Sequence, residues 1–306
     1  MGIFAGCNQQ KEVTPVTQSK KDKQQGTNKS VSVNIQNGYA VFATIDQYRT
    51  VVETDSVSRQ AIMNDLNTRQ GFVSVYKVYA DSTLKGQYAN SGKYLVVKED
   101  NPIESDFVSS VVNIDGIVRI ANHFYRIDLE NSKVYALPIQ YKSTGYNDLK
   151  NARNTSSNPN IRVFSTEEEV LDIMERKSGC GDAHAEGRKK DSTEYMGSKD
   201  RMNCKAVYQK GGIYFSLHAK AKNQHKTLGI WWAQRESLGI EAYVEYQPRC
   251  RNYVVDYRYM RGYDNKAQWR VYESSRGLAY YHLRAGFDNY YHYYASRVYV
   301  IRWPTP

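Results

Sequence analysis

No run of this chain approaches about 18 consecutive apolar residues, so no transmembrane helix is expected. Cysteine is scarce, at 4 residues, and no CxxC pair occurs, which argues against a zinc ribbon or a thioredoxin-type motif. The chain also has no GxSxG, no HExxH, no Walker A loop and no GxGxxG following a strand. No strict repeat is present, which argues against a propeller or a solenoid. Carboxylates are plentiful, so a glycosidase pair drawn from distant positions stays open.

What the chain does have is tyrosine: 27, against 8 Phe and 4 Trp in 306 residues. A tyrosine ring is apolar and its tip is polar, which suits half-buried strand faces and wet binding surfaces. The length suggests one large or two ordinary domains.

Net charge is +10 and is unevenly placed. Residues 1–175 carry 19 Lys+Arg against 20 Asp+Glu, and residues 176–306 carry 23 against 12. The second part also holds all 4 Trp, 5 of the 6 His and 17 of the 27 Tyr. A basic, aromatic half points to anionic partners: acidic glycan, lipid head groups or nucleic acid.

Met1-Gly2-Ile3-Phe4-Ala5-Gly6-Cys7 resembles the end of a bacterial lipoprotein signal, in which Cys7 would be acylated. Gly6 stands where an N-myristoylation signal wants Ser or Thr. Residues 8–30 are rich in Gln, Lys, Thr and Ser and read as a flexible tether. An exported chain permits disulfides. Cys180 and Cys204 bracket a polar segment and are expected to pair; Cys204 with Cys250 is the alternative.

Residues 31–43 read as a hairpin turning at Asn37-Gly38. Thr44 with Gln47 then forms a capping-box pattern ahead of Ile45, Tyr48, Val51 and Val52 on one helical face. A second helix is expected over 57–68, with Ile62 and Leu66 inward. Extended structure is expected over 72–79, hairpins over 108–120 and 124–137, and a loop over 142–159. A short capped helix with Val170, Leu171, Ile173 and Met174 as its buried side follows, then a long polar loop over 178–203. From there Ile213, Phe215 and Leu217, then Ile240, Ala242 and Val244, then Tyr253, Val255, Tyr257 and Tyr259 alternate along strands separated by Gly- and Asn-containing turns.

The expected fold is therefore an α+β N-terminal module and an all-β C-terminal module, the latter an antiparallel β-sandwich or barrel of about eight strands. The expected divisions are 1–30 (signal remnant and tether), 31–158 (α+β), 159–204 (capped helix and polar loop) and 205–306 (tyrosine-rich basic β-domain).

Asn37-Gly38-Tyr39-Ala40-Val41-Phe42-Ala43-Thr44-Ile45-Asp46-Gln47-Tyr48, Gly71-Phe72-Val73-Ser74 and Val112-Asn113-Ile114-Asp115-Gly116-Ile117-Val118-Arg119-Ile120 with Phe124-Tyr125-Arg126-Ile127 resemble a pattern in uncharacterised Bacteroidetes-type surface lipoproteins. The resemblance spans roughly residues 35–175. It implies export and a lipid anchor at the outer membrane or cell surface, and it carries no catalytic residues or cofactor.

The leading candidate site is aromatic: Trp231 and Trp232, then Tyr280, Tyr281 and His282, then Tyr290, Tyr291, His292, Tyr293 and Tyr294. Strand alternation sends one ring of each doublet inward and one outward. Outward rings near Arg270, Arg284 and Arg297 would stack on sugars and pair with acidic groups. Asp182, His184 and Glu186 alternate in a loop beside Cys180 and form a weaker candidate for a metal site. The expected function is non-catalytic binding of glycan or another anionic polymer, with nucleic acid disfavoured. A polysaccharide-acting enzyme and a structural or adhesion component are the alternatives.

Overall fold

The computed structural model describes residues 33–89, 100–152, 158–177, 181–289 and 294–304. Cys7 and the expected tether lie outside them, as do Cys180 and residues 290–293.

Strands β1 (Asn34–Gln36) and β2 (Tyr39–Phe42) form the expected hairpin. Asn37 (φ 50°) and Gly38 (φ 79°) both adopt the left-handed conformation that a two-residue hairpin turn requires. Thr44 Oγ1 accepts the Gln47 amide and starts α1 (Ile45–Glu53), which buries Tyr48, Val51 and Val52. Asp55 caps α2 (Ser56–Thr68), which buries Ile62, Met63 and Leu66.

Two segments expected as strands are helices. Residues 72–79 contribute α3 (Val75–Ala80), started by Ser74 accepting the Lys77 amide. Val75 and Val78 share its buried side, and burial at that spacing overrides the strand preference of valine. The first arm of the hairpin expected over 108–120 is α5 (Asp106–Val111), capped by Ser105; α4 (Ser82–Ala89) precedes it. Phe107, Val108, Ser109, Ser110 and Val111 are all buried, so the sequence shows no polar face by which a helical period is recognised.

The chain then returns through β3 (Ile117–Ile120), β4 (His123–Asp128) and β5 (Lys133–Pro138). Strand β3 runs parallel to β2, as the helical crossover between them allows, and the other pairings of this sheet are antiparallel. Lys142–Asn151, in the expected loop, is helix α6. Strand β6 (Arg162–Ser165) completes a six-stranded sheet in chain order, and α7 (Val170–Met174) follows. Val170 and Leu171 are buried there, while Ile173 is exposed.

The C-terminal region holds nine strands in two sheets and is sandwich-like, with no closed barrel among the described residues. The first sheet contains β7 (Arg188–Tyr195), β8 (Asp200–Lys210), β9 (Phe215–Thr227), β10 (Ile230–Ala233) and β13 (Lys266–Ser274). The second has the order β12 (Val254–Asp264), β11 (Glu236–Pro248), β14 (Leu278–Asn289) and β15 (Tyr294–Trp303). Strand β7 lies in the expected loop over 178–203. It is an edge strand with mostly exposed, polar side chains, so it shows none of the apolar alternation that marks a half-buried strand.

Between the sheets Met202, Ala206, Phe215, Leu217, Ile240, Val244, Trp269, Tyr281, Leu283 and Phe287 form the core. Cys204 belongs to it. Alternation along β8 turns its side chain inward, where it is a free, buried thiol whose pKa burial raises to about 12, with Glu194 adding to the rise. This overturns the expected Cys180–Cys204 disulfide and equally the Cys204–Cys250 alternative, and no sulfur pair lies at bonding distance among the described residues.

A third layer covers the other face of the first sheet. Alternation sends Phe215, Leu217, Ala219 and Ala221 of β9 into the core, while Ser216 and His218 are equally buried on the opposite face. There Glu273 of β13, its side chain fully buried, receives Arg59 of α2 at 2.5 Å, Arg270 at 3.0 Å and the Ser105 hydroxyl. Charged groups buried in this way hold together through mutual pairing. Residues 32–306 accordingly form one compact unit.

Candidate functional site

On its outer face β9 presents Ser216, His218, Lys220, Lys222 and Gln224 in a row, since residues two apart share a face. Toward β10 and α3 that row emerges from beneath the helices into a cleft of about 580 Å³. Lys220 and Lys222 form its floor with Lys205 of β8 and Lys266 of β13, and Lys85 of α4 reaches in from above. Tyr76 and Tyr79 of α3 and Trp231 of β10 supply aromatic walls, with the Lys85 ammonium 4.7 Å from the Tyr79 ring centre. The guanidinium of Arg201 lies 4.3 Å from the Trp231 ring centre.

The register makes this arrangement costly. Lys205 sits directly opposite Lys220, and Lys266 directly opposite Lys222. Opposed side chains in an antiparallel pair start about 5 Å apart, and like charges there are destabilising. Three carboxylates offset part of the repulsion. Glu104 lies 3.4 Å from Lys205 and 3.7 Å from Lys220, Asp100 lies 3.1 Å from Lys205, and Asp106 pairs with Lys266. Burial acts to raise all three carboxyl pKa values, but His218 followed by Lys220 and Lys205 at Glu104, and the neighbouring ammonium groups at Asp100 and Asp106, outweigh it and hold them below the ordinary range. Lys222 makes no ion pair among the described residues. Burial lowers its pKa, Lys220, Lys85 and Lys205 lower it further, and Asp100 opposes them. Among the described residues the cleft thus holds five lysines against two lining aspartates, and Lys222 feels the Asp100 charge without forming an ion pair.

Beneath the cleft, Ser216 Oγ lies 3.0 Å from His218 Nδ1, and His218 Nε2 lies 3.9 Å from Glu104. The trio has the residue types of a hydrolytic triad, yet Ser216 and His218 have no exposed surface, so no substrate reaches them. Burial lowers the His218 pKa against the pull of Glu104, which favours the neutral ring.

The aromatic candidates separate as alternation requires. Trp231 faces the lysine cleft, and Trp232, on the other face of β10, is half exposed. Tyr281 is buried in the sandwich core and donates to the Glu186 carbonyl at 2.9 Å. Tyr280 points outward beside Tyr253, and both hydroxyls donate to Glu245. His282 and Arg284 line a separate groove at the edge of the second sheet. Tyr290, Tyr291, His292 and Tyr293 lie outside the described residues. Of Tyr294, only its backbone position opposite Asn289 in β15 is described. Among the described candidates, Trp231 lines the lysine cleft and the others do not.

Asp182, His184 and Glu186 are engaged separately. Asp182 accepts the Cys250 amide at 2.8 Å, Glu186 pairs with Arg188 at 3.4 Å, and burial with the nearby Arg249 lowers the His184 pKa. No group of three metal-ligating side chains occurs among the described residues.

The sequence reading missed the lysines and the α3 tyrosines. The Lys220-x-Lys222 spacing within a strand was the available signal for the first. Tyr76 and Tyr79 reach the cleft because α3 is a helix.

No family model matches this chain, and no curated protein matches it. Among solved structures, a DUF4848 family protein from Bacteroides thetaiotaomicron VPI-5482 aligns over 89% of this chain and 99% of its own. The identity is 12% and the TM-score 0.20. The resemblance to Bacteroidetes lipoproteins reduces to this weak likeness, which at that score carries no argument.

Proposed function

We propose that this protein binds an acidic glycan, without chemical conversion, in the lysine cleft between α3, α4 and the outer face of the first C-terminal sheet. The observation that carries the reading is the pairing of Lys222 with Lys266 across β9 and β13, where Lys222 makes no ion pair among the described residues. Like charges held directly opposite lower stability, and a carboxylate or sulfate of the ligand would relieve them. Tyr76, Tyr79 and Trp231 fit the apolar faces of sugar rings beside those acidic groups. With a lipid on Cys7, the cleft would work at a cell surface.

Calorimetric titration with uronate-bearing and neutral oligosaccharides of equal length tests the reading. Binding of the acidic set alone, weakened about tenfold in Lys222→Ala, is expected for a charge-assisted contact. Equal binding of the neutral set, or no binding of either, overturns it. Metabolic labelling with a palmitate analogue, lost in Cys7→Ser, tests the anchor.

A further inference from the structure

The cleft does not end at its own walls. Asp100 and Lys205, paired at 3.1 Å, also border a second depression of about 650 Å³ between β7, β8 and the β4–β5 turn. Arg188 and Lys189 of β7 line that depression and also a third, of about 930 Å³, at the edge of the second sheet. In this last groove Lys190, His282, Arg284 and Arg302 stand around Val298 and Val300, with no carboxylate among the described residues of its walls. Arg188, at its edge, lies 5.6 Å from the Trp303 ring centre.

Building on the reading of the lysine cleft as an acidic-glycan site, we propose that the ligand is a polymer. It leaves the cleft, passes over the β7 edge and seats further acidic groups in the groove of His282, Arg284 and Arg302. From β13 across β9 and β8 to β7 is three interstrand steps, about 14 Å, before the chain turns onto the second sheet.

The charge pattern along this path selects the polymer. Both ends are cationic, but the middle depression mixes Asp100, Glu104, Glu130, Glu167 and Asp191 with four cations. A nucleic acid carries a phosphate at every step and would be repelled in the middle. A glycan whose acidic groups are spaced by neutral, hydroxyl-bearing rings fits, because those carboxylates accept hydrogen bonds from hydroxyls. The exposed Val298 and the half-buried Val300 give the far groove an apolar floor for a ring face.

The test is a length series of oligosaccharides in which uronic-acid rings alternate with neutral rings, from a disaccharide upward, titrated against wild type, Lys222→Ala and Arg284→Ala/Arg302→Ala. Wild-type affinity is expected to rise with length by at least about tenfold once a chain spans both cationic ends. The double variant should bind the disaccharide as wild type does and lose the gain with length, whereas Lys222→Ala should weaken every length. If length adds nothing, or the double variant keeps the gain, the extended groove is wrong while the cleft reading stands on the disaccharide. If the wild type binds no member of the series, the cleft reading falls, and this inference with it. A single-stranded oligonucleotide of equal charge binding more tightly than every uronate overturns the choice of polymer.

Discussion

Lys205 and Lys220 face each other directly across β8 and β9, and the Glu104 carboxylate lies 3.4 Å from one ammonium and 3.7 Å from the other. One nearly buried anion therefore serves two cations that would otherwise repel. Glu104→Gln removes the charge and keeps the shape, and should destabilise the fold by roughly 3–5 kcal/mol, as expected when one partner of a buried ion pair is lost. The denaturant midpoint measures this. Adding Lys220→Met should recover part of the loss.

The same carboxylates set the acid limit. Glu104, Asp100 and Asp106 have folded-state pKa values below their ordinary 4.5 and 3.8. Their contribution is complete above those ordinary values and is lost as pH falls through the depressed ones. Stability should hold down to about pH 5 and then decline, and the decline should shrink in Glu104→Gln. An unchanged acid profile in that variant would assign the loss to other groups.

At alkaline pH two lysines of the cleft, Lys222 and Lys266, have folded-state pKa values below the ordinary 10.5, so between those values the unfolded chain binds more protons at these two groups and their contribution to stability rises with pH. Ligand affinity moves the opposite way. A bound anion favours the charged ammonium, so binding takes up a proton and weakens as pH climbs through the depressed pKa. Titrations at rising pH should show this slope in wild type and a shallower one in Lys222→Ala, with Lys266 supplying what remains. That variant should also fold as stably as wild type or more so, by up to about 1 kcal/mol, because an opposed like-charge pair is gone.

Glu273 links the helices to β13 through Arg59, Arg270 and Ser105. Glu273→Gln should cost roughly 3–5 kcal/mol, and Glu273→Leu combined with Arg59→Met should lose less than either single change. A double-variant cycle by denaturation reads the coupling.

Cys204 offers a simple readout of sandwich integrity. With its pKa raised to about 12 and its side chain in the core, it should react with a thiol reagent only when the sandwich opens. The reagent-accessible thiol count of wild type and Cys204→Ala should match in native buffer and differ by one in denaturant.

The sequence made the sandwich legible where one strand face is wet. Ile240, Ala242 and Val244 share the inward face of β11, and Val255, Tyr257 and Tyr259 share one face of β12, which the structure shows to be the exposed one. It failed where burial or exposure was complete. Helix α5 is buried all round and gave no helical period, and β7 is polar and gave no strand period. The expected turn at Asp115-Gly116 does occur, with Gly116 at φ 78°, but it joins a helix to β3. The site was half legible for a related reason. Doublet alternation placed Tyr281 in the core and Tyr280 outside as expected, while Trp231 and Trp232 take opposite faces of β10 without either entering the core, and the lysines gather only because β8, β9 and β13 pair in one register. The expected Cys180–Cys204 staple failed because spacing along the chain does not report which way β8 turns Cys204.

Strand β9 has no wet side along its first half: Phe215 and Leu217 are sealed by the second sheet, and Ser216 and His218 by the N-terminal helices. A fragment cut to begin near residue 205 would bare that polar row together with Glu273, stripped of Arg59 and Ser105. The tyrosine-rich third is thus not a freestanding piece. Residues 33–304 should melt in a single transition, and the helices that roof the lysine row are needed for the sandwich to exist as well as for the cleft to have a wall.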